Sequence, residues 1–283
     1  MIYNSSDIWK MCPNKSISLF GMSGVGKSFL SELLTKDKDW FHYSVDYQIA
    51  NTYLQEMILE KLSEDRGSPS SNMKISKIEL PKEYIHDTTL LSQYLGKPGS
   101  KEKGGIPFTE FVRRQKEHRI AEKKATNGAL AIRKKVNLDA AFNHFVCDTS
   151  GSLCELVDPG NPNDRMLKTL SSFSLLIWIK GTNEMTEELV TRFIRSPKPM
   201  YYNINFLKEK WKTYCNKFSV EESFVDPDSF IIYGYRELIK HRLPIYQKIA
   251  DNWGVTIDAN IISSLRDSKD FVDLIGKALS TRK

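Results

Sequence analysis

The stretch "SISLFGMSGVGKSFL", residues 16–30, decides the fold. It opens with an apolar run typical of a buried strand and continues into a pattern typical of a helix. Between the two, Gly21, Gly26, Lys27 and Ser28 match the spacing G-x-x-x-x-G-K-[ST] of a phosphate-binding loop. In such a loop the backbone N–H groups and the helix N-terminus point at phosphate oxygens. The sequence therefore predicts that a nucleoside triphosphate binds here.

Four other short apolar runs accompany the first predicted strand, which covers residues 16–21. They lie at 40–46, 144–150, 174–181 and 254–259, and helical patterns separate them. Strands that alternate with helices predict an α/β, three-layer fold with a five-stranded, mainly parallel sheet flanked by helices. We interpret residues 1–283 as a single P-loop kinase-like domain. It carries an insertion at about 50–140, expected to supply acceptor-side helices, and a lid region at about 192–226.

Composition sets limits on the partners of the chain. The formal net charge is +6, from 41 Lys and Arg against 35 Asp and Glu among 283 residues. This excess suits an anionic ligand but is too weak by itself to indicate nucleic acid. The four cysteines form no Cys-x-x-Cys pair, and the sequence contains neither a signal peptide nor a long apolar span. We expect a cytoplasmic protein with reduced thiols and no membrane segment; the sequence does not indicate an oligomeric state.

The phosphate-binding loop predicts ATP and Mg²⁺ as cofactors. Lys27 is expected to reach the β- and γ-phosphates, and the Ser28 hydroxyl to bind Mg²⁺. Asp148 ends the third predicted strand and is the second candidate metal ligand, although an Asp at a strand end can also cap the next turn. The residues expected to contact the nucleotide through this loop are Gly21, Ser23, Gly24, Val25, Gly26, Lys27, Ser28 and Phe29.

Two further groups carry candidate catalytic roles. Asp46 follows the second predicted strand, where ligands bind in open α/β sheets, and is predicted to orient the acceptor hydroxyl and accept its proton. The alternative for Asp46 is a helix cap. Arg192 and Arg195 precede a Pro-containing segment, and a lid can bring such an Arg to the transferring phosphoryl group. The sequence does not choose between these two arginines.

Beyond the loop, the chain resembles the shikimate kinase family at several places. "SVDYQI" (44–49) is similar to the second-strand motif of the family, with Asp46 at the position that contacts the acceptor hydroxyl and Ser44 in place of an Asp. "FVRRQKE" (111–117) resembles the helix whose Arg grips the substrate carboxylate, which implies this role for Arg114. "TSGS" (149–152) stands where the family has three glycines and retains Gly151.

The resemblance extends to the C-terminal part of the chain. "ELIKHRLPIYQKIADNWGVTIDAN" (237–260) is similar to the last helix and strand of the family, and "RFIRSPKPM" (192–200) to the start of its lid. By resemblance, Asp258 and Asn260 lie beside the adenine. The family activity implies transfer of the γ-phosphoryl of ATP to a small, hydroxylated and anionic acceptor. The residues that this assigns to the acceptor are Asp46, Arg114, Gly151 and Arg242.

Two other functions remain open at the level of sequence. A P-loop ATPase that couples hydrolysis to a conformational or partner-binding change is favoured by Ser44, Ser150 and Ser152, which depart from the kinase pattern. A nucleic-acid or modified-base kinase is suggested by the basic stretch 113–135. A GTPase is disfavoured because "GTNE" (181–184), after the fourth predicted strand, lacks the Lys and Asp of a guanine-reading motif. A small-molecule acceptor is the partner we expect.

Overall fold

The computed structural model describes residues 2–55, 89–138 and 141–282. Five parallel strands form one sheet in the order β2-β3-β1-β4-β5. They are β1 (Ser16–Phe20), β2 (Trp40–Ser44), β3 (His144–Asp148), β4 (Leu175–Lys180) and β5 (Gly254–Asp258). All five predicted strands are confirmed. Because β1 lies at the centre and all strands run in one direction, the loop that follows β1 emerges at the middle of the carboxyl edge.

Helices connect the strands and cover the sheet. In the described residues they are α1 (Ser6–Met11), α2 (Lys27–Thr35), α3 (Val45–Gln48), α4 (Thr89–Leu95), α5 (Phe108–Leu138), α6 (Arg165–Phe173), α7 (Asn183–Arg195), α8 (Ile204–Phe218), α9 (Pro227–Trp253), α10 (Ala259–Ile262) and α11 (Ser268–Thr281). A π-helical turn spans Ile49–Tyr53, and 3-10 turns span Lys101–Lys103, Leu153–Glu155 and Glu222–Phe224. The arrangement is the predicted α/β fold, with a parallel sheet flanked by helices.

All five strands end earlier than predicted; β2 and β3 end two residues early, and local hydrogen bonds accompany both of these ends. The Ser44 side chain accepts a hydrogen bond from the Tyr47 backbone N–H, which starts α3 directly after β2. The Thr149 Oγ1 donates to the Leu19 carbonyl at 2.7 Å and turns the chain away after β3. Both changes place polar residues at the carboxyl edge of the sheet, next to the loop after β1.

Three buried clusters organise the packing. The largest surrounds β1, β4 and β5 and includes Trp9 and Phe271. A second joins β2 and β3 to α4 and α5. The third joins α8 and α9 to the start of α5, where Trp211 packs edge-on to Phe230 with ring centroids 4.7 Å apart. The long helix α5 therefore connects the sheet with the α8–α9 pair, and it passes the carboxyl edge of the sheet.

Part of the predicted insertion can be compared with the structure. The predicted loop at 63–72 lies outside the described residues. The predicted loop at 96–105 contains a single 3-10 turn, and it packs near the start of α9 because Ser100 N donates to the Val225 carbonyl at 2.8 Å. No helix within the described ranges is long and apolar enough to cross a membrane.

Candidate active site

The loop after β1 has the backbone of a phosphate cradle. Gly26 caps the N-terminus of α2 with a φ of 102°, a left-handed conformation that side chains disfavour. Gly21 lies so close to β4 that a Cβ added there would stand 2.7 Å from the Ile179 carbonyl oxygen. Both positions therefore require glycine for a structural reason. In loops of this motif, successive backbone N–H groups bind the phosphate.

Lys27 is the first residue of α2 and lies across the loop. Its Nζ donates to the carbonyls of Gly21 and Met22, both at 3.1 Å, and the side chain is buried. The ammonium group is thus held at the loop by two neutral carbonyls, which an anionic phosphate oxygen can replace as the stronger partner. The contact of this ammonium group with the β- and γ-phosphates stays a prediction.

Ser28 and Asp148 meet beside the loop. The Ser28 Oγ donates to the Asp148 Oδ2 at 2.8 Å, and Asp148 is the last residue of β3. A hydroxyl and a carboxylate are hard oxygen ligands that fit Mg²⁺, which usually takes its remaining ligands from phosphate and water. Among the described residues, no cluster of three or more His, Cys, Asp or Glu can hold a metal by itself. The pair therefore fits a magnesium ion that arrives with the nucleotide.

A cleft of about 360 Å³ opens next to this pair. Ser23, Ser28 and Asp148 form its phosphate side. The opposite side is built by α4, by His118 of α5 and by the segment after α7. The remaining residues that line it are Ser44, Asp46, Leu91, Ser92, Leu95, Ser150, Gly151, Ser152, Lys198, Pro199, Met200, Tyr201 and Arg242. The cleft is large enough for a small molecule beside the phosphate-binding loop.

Asp46 lies in the first turn of α3 and lines this cleft. Burial, and after it the negative charge of Asp148, raise the pKa of its carboxyl to about 6 against the opposing positive charge of Lys27. The side chain remains partly exposed to the cleft. The structure thus brings Asp46, Asp148 and Lys27 within electrostatic range of one another. A carboxylate with a pKa near neutrality suits a general base.

The turn after β3 lies directly on the phosphate-binding loop. A Cβ added to Gly151 would stand 3.2 Å from the Ser23 backbone nitrogen. The Gly151 carbonyl accepts hydrogen bonds from the Tyr246 hydroxyl and from the Arg242 Nη1, the latter at 3.0 Å. Gly151 therefore forms part of the cleft wall, and two side chains of α9 fix its position.

Arg242 lines the cleft, but protein groups occupy its guanidinium. Besides the bond to Gly151, its Nε donates to the Glu155 Oε1 at 2.9 Å and its Nη2 to the Tyr201 carbonyl at 2.7 Å. Only 1% of the residue is exposed. Burial opposes the charged form, yet the Glu155 carboxylate outweighs this cost and raises the pKa of Arg242. The guanidinium thus braces the turn and the Tyr201 segment, and the substrate-binding role of Arg242 stays a prediction.

Arg114 does not reach the cleft. Its Nε donates to the Glu110 Oε1 at 2.7 Å and its Nη1 to the Tyr94 carbonyl at 2.6 Å, and the guanidinium lies over the Tyr94 ring. The side chain is turned toward α4 and does not line the cleft, so the contact of Arg114 with the acceptor stays a prediction that this geometry does not support. The neighbouring Arg113 is exposed and pairs with Glu110 and Glu117.

The two candidate lid arginines also lie apart from the cleft. Arg192 and Arg195 occupy the last turn of α7 and are exposed, and the Arg192 Nε stands 3.9 Å from the Glu188 Oε1. Neither side chain lines the cleft. Lys198, three residues beyond the end of α7, is the cationic residue of this segment that lines the cleft.

The residues predicted near the adenine lie beside the phosphate-binding loop. Asp258 and Asn260 are exposed at the start of α10. In the same short helix, the Ile262 Cδ1 would be 3.8 Å from a Cβ added to Gly26. Phe29, in the first turn of α2, is half exposed. This side of the loop offers an open surface to a nucleotide base, while Val25 packs into the core.

Sequence reasoning missed two buried residues behind the acceptor side of the cleft. Glu122 is fully buried in α5, and its Oε1 accepts hydrogen bonds from the Ser150 and Ser152 hydroxyls, the latter at 2.8 Å. Burial raises the pKa of Glu122 to about 7 against these hydrogen bonds. Burial and the charge of Arg242 lower the pKa of His118 to about 3, so this imidazole is neutral. Their spacing of four residues on a helix was the available signal.

Comparison with known proteins gives remote structural matches alone. No protein-family model matches the chain, and no curated protein does. A shikimate kinase from Bacteroides thetaiotaomicron aligns with 12% identity and a TM-score of 0.38, covering 94% of this chain and 94% of that chain. A shikimate kinase from Acinetobacter baumannii in complex with shikimate aligns with 12% identity and a TM-score of 0.35, covering 92% and 93%.

The fold class follows from the chain's own geometry. A five-stranded parallel sheet in the order β2-β3-β1-β4-β5, with a glycine-rich loop leading from the central strand into a helix, defines a three-layer P-loop fold. This is the shikimate and nucleoside monophosphate kinase type of fold predicted from the sequence.

Proposed function

We propose that the protein is an ATP-dependent phosphotransferase that moves the γ-phosphoryl group to a hydroxyl of a small molecule bound in the cleft. One observation carries the proposal: Asp46, a carboxyl with a raised pKa, lines the same cleft as the Ser28–Asp148 pair and lies within electrostatic range of Lys27. A hydrolytic P-loop site needs a water-positioning group, whereas a transfer site needs a base beside a pocket for an acceptor. The cleft offers both a base and a pocket.

Each of these residues has a distinct task in the transfer. Lys27 binds the β- and γ-phosphates after leaving the Gly21 and Met22 carbonyls. Ser28 and Asp148 would hold Mg²⁺, and the ion would neutralise charge on the phosphate oxygens. Asp46 accepts the proton of the acceptor hydroxyl as the oxygen forms its bond to the γ-phosphorus. The bond from that phosphorus to the bridging oxygen breaks, and ADP keeps the electron pair.

The parts of the chain outside the sheet fit the same proposal. Leu91, Ser92 and Leu95 of α4 and His118 of α5 line the acceptor side, so the insertion at about 50–140 would supply that side of the site. The region at about 192–226 would supply the cover through Lys198. The four cysteines are free thiols. This agrees with our placement of the activity in the cytoplasm, where ATP is available.

The anionic acceptor expected from the family resemblance depended on Arg114 and Arg242. Because protein carbonyls and carboxylates hold both guanidinium groups, neither supports a negative charge on the acceptor. The proposal therefore retains a small, hydroxylated acceptor and does not infer a negative charge on it from these arginines.

The test is phosphoryl transfer from γ-labelled ATP with Mg²⁺ into a pooled metabolite extract, with labelled products identified by mass spectrometry. We expect a new labelled metabolite. Asp46→Asn should lower the turnover by about 10²- to 10⁴-fold while ATP binding is retained, and the exposed Asp251→Asn serves as a matched control. Loss of ATP binding with unchanged turnover per bound ATP would make Asp46 a metal ligand instead.

A P-loop ATPase is the second candidate, and the turn after β3 favours it. Gly151 packs on Ser23 of the phosphate-binding loop, and its carbonyl is joined through Arg242 to the Tyr201 carbonyl. Such a connection can transmit the state of the γ-phosphate to the segment over the cleft. Release of inorganic phosphate at a rate that the extract does not change would favour this function over transfer.

A further inference from the structure

The turn after β3 presents hydrogen-bond acceptors to the cleft. Ser150 and Ser152 both line the cleft, and both hydroxyls donate their hydrogen to the buried Glu122 Oε1. A serine hydroxyl has one hydrogen to donate, so each of these oxygens can only accept from a ligand. The Ser150 Oγ already accepts one hydrogen bond, from the Ser152 backbone N–H at 3.2 Å. The Glu122 Oε1 can accept both bonds whether or not the carboxyl carries a proton on its other oxygen. The wall therefore favours ligand groups that donate.

Two buried polar atoms behind this wall have no hydrogen-bond partner among the described residues. They are the Glu122 Oε2 and the His118 Nδ1, which stand 3.6 Å apart. An unsatisfied buried polar group costs about 1–3 kcal/mol. His118 lines the cleft and stacks on Tyr201 with ring centroids 4.7 Å apart. Since both atoms are buried and Glu122 does not line the cleft, the pair acts on a ligand through the two serines and through the His118 ring.

Acidic groups lie close to the acceptor side, and the cations that line it are bonded to protein groups or exposed. Asp46 and Asp148 line the cleft, and Glu122 stands directly behind it. Of the described residues that line the cleft, Arg242 and Lys198 are the cationic ones. The Arg242 guanidinium is occupied by Glu155, Gly151 and Tyr201, and Lys198 is exposed. A carboxylate placed deep in this cleft would therefore face acids, and the buried cation of the lining, Arg242, already bonds to protein groups.

We propose that the Ser150–Gly151–Ser152 turn, backed by Glu122 and His118, selects an uncharged, polyhydroxylated acceptor and excludes carboxylated ones. The inference rests on the proposed phosphotransferase function and adds the chemical class of its substrate. The acceptor hydroxyls that do not react donate to the two serine oxygens, which Glu122 holds in place. The reacting hydroxyl is the one beside Asp46.

The test separates acceptors by charge. A metabolite extract is divided on an anion-exchange resin, and the flow-through and the salt-eluted fraction are each incubated with the protein, Mg²⁺ and γ-labelled ATP. We expect labelled product from the flow-through, which holds the uncharged metabolites. Labelled product from the salt-eluted fraction alone would overturn the inference and leave the phosphotransferase function standing. Label released as inorganic phosphate alone in both samples would overturn the phosphotransferase function, and the inference with it.

A variant tests the role of the buried carboxyl. Glu122→Gln keeps the volume and an oxygen for the two serine hydroxyls but removes the negative charge. We expect the preference for the flow-through acceptor over a matched carboxylated analogue, such as an alditol over its aldonic acid, to fall at least about tenfold in kcat/KM. Glu117→Gln, on the same helix but outside the cleft lining, is the control. An unchanged preference in folded Glu122→Gln would refute the role of Glu122.

Discussion

Replacing Asp46 by Asn should stabilise the fold while it removes phosphoryl transfer. The pKa of the Asp46 carboxyl rises from 3.8 to about 6 on folding, chiefly because the group is taken out of water. At a pH above both values, this rise corresponds to about 3 kcal/mol of unfavourable free energy in the folded protein. Because the side chain is partly exposed, solvent screening reduces the expected gain to about 1–2 kcal/mol.

The sign of the effect sets its pH dependence. A carboxyl whose pKa is higher in the folded protein than in the unfolded chain binds its proton more tightly when folded. Its contribution to stability is therefore fully present below the unfolded value of 3.8 and is lost as the pH rises through about 6. The amide that replaces the carboxyl in Asp46→Asn carries no charge at any pH. The gain from the substitution should thus be small near pH 4 and reach its full size above about pH 7.

Thermal unfolding at several pH values measures this directly. A free-energy gain of about 1–2 kcal/mol corresponds to roughly 2–8 °C in Tm for a chain of this size. Asp251→Asn, at an exposed position on α9, should show no such gain. The reasoning fails if Asp46→Asn lowers the Tm near pH 7.5, or if its advantage grows as the pH falls.

Three other substitutions test the remaining assignments. Lys27→Ala should lower the rate of transfer by at least about 10²-fold in initial-rate assays. The Tm should stay near that of the wild type, since the hydrogen bonds of the ammonium group go to the Gly21 and Met22 carbonyls of the loop. Full activity would contradict the assignment of the phosphate-binding loop. Arg242→Met should lower the free energy of unfolding, measured by denaturant titration, by about 3–5 kcal/mol, because Glu155 loses its buried partner. Adding Glu155→Gln should restore part of this stability. Unchanged stability with a raised acceptor KM would support a substrate-binding role for Arg242. Arg114→Met should leave the acceptor KM unchanged in steady-state kinetics, and a large rise would show that the guanidinium reaches the substrate.

The sheet and the phosphate-binding loop could be predicted because their signals are local. A buried parallel strand is a short apolar run, and the loop is a fixed spacing of glycines and Lys27. The position of Asp46 follows from the same logic, since a residue just after a strand lies at the carboxyl edge. These features depend on neighbours a few residues away, and one sequence contains that information.

The acceptor side could not be predicted, because its contacts join distant parts of the chain. Glu122 lies in a helix rich in charged residues, and its two serine partners are 28 and 30 residues away in sequence. The spacing of Arg114 and Arg242 was compatible with a substrate pocket, but the Tyr94 carbonyl and the Glu155 carboxylate that hold them are fixed by tertiary packing. A guanidinium in a motif does not reveal which anion or carbonyl will occupy it.

The hydrogen bond from Arg242 to the Tyr201 carbonyl limits how the cleft can open. Residues 196–200 connect the end of α7 to this anchored carbonyl, and Lys198 lies at their midpoint. Five residues span at most about 17 Å when fully extended. Residues 196–200 therefore form a short connecting loop beside the cleft and not a hinged domain. If this loop moves to let a ligand enter or leave, its motion has a timescale of roughly nanoseconds to microseconds. The rate of turnover would then be limited by the chemical step or by nucleotide release. Lengthening the loop would weaken binding of the acceptor without altering the sheet.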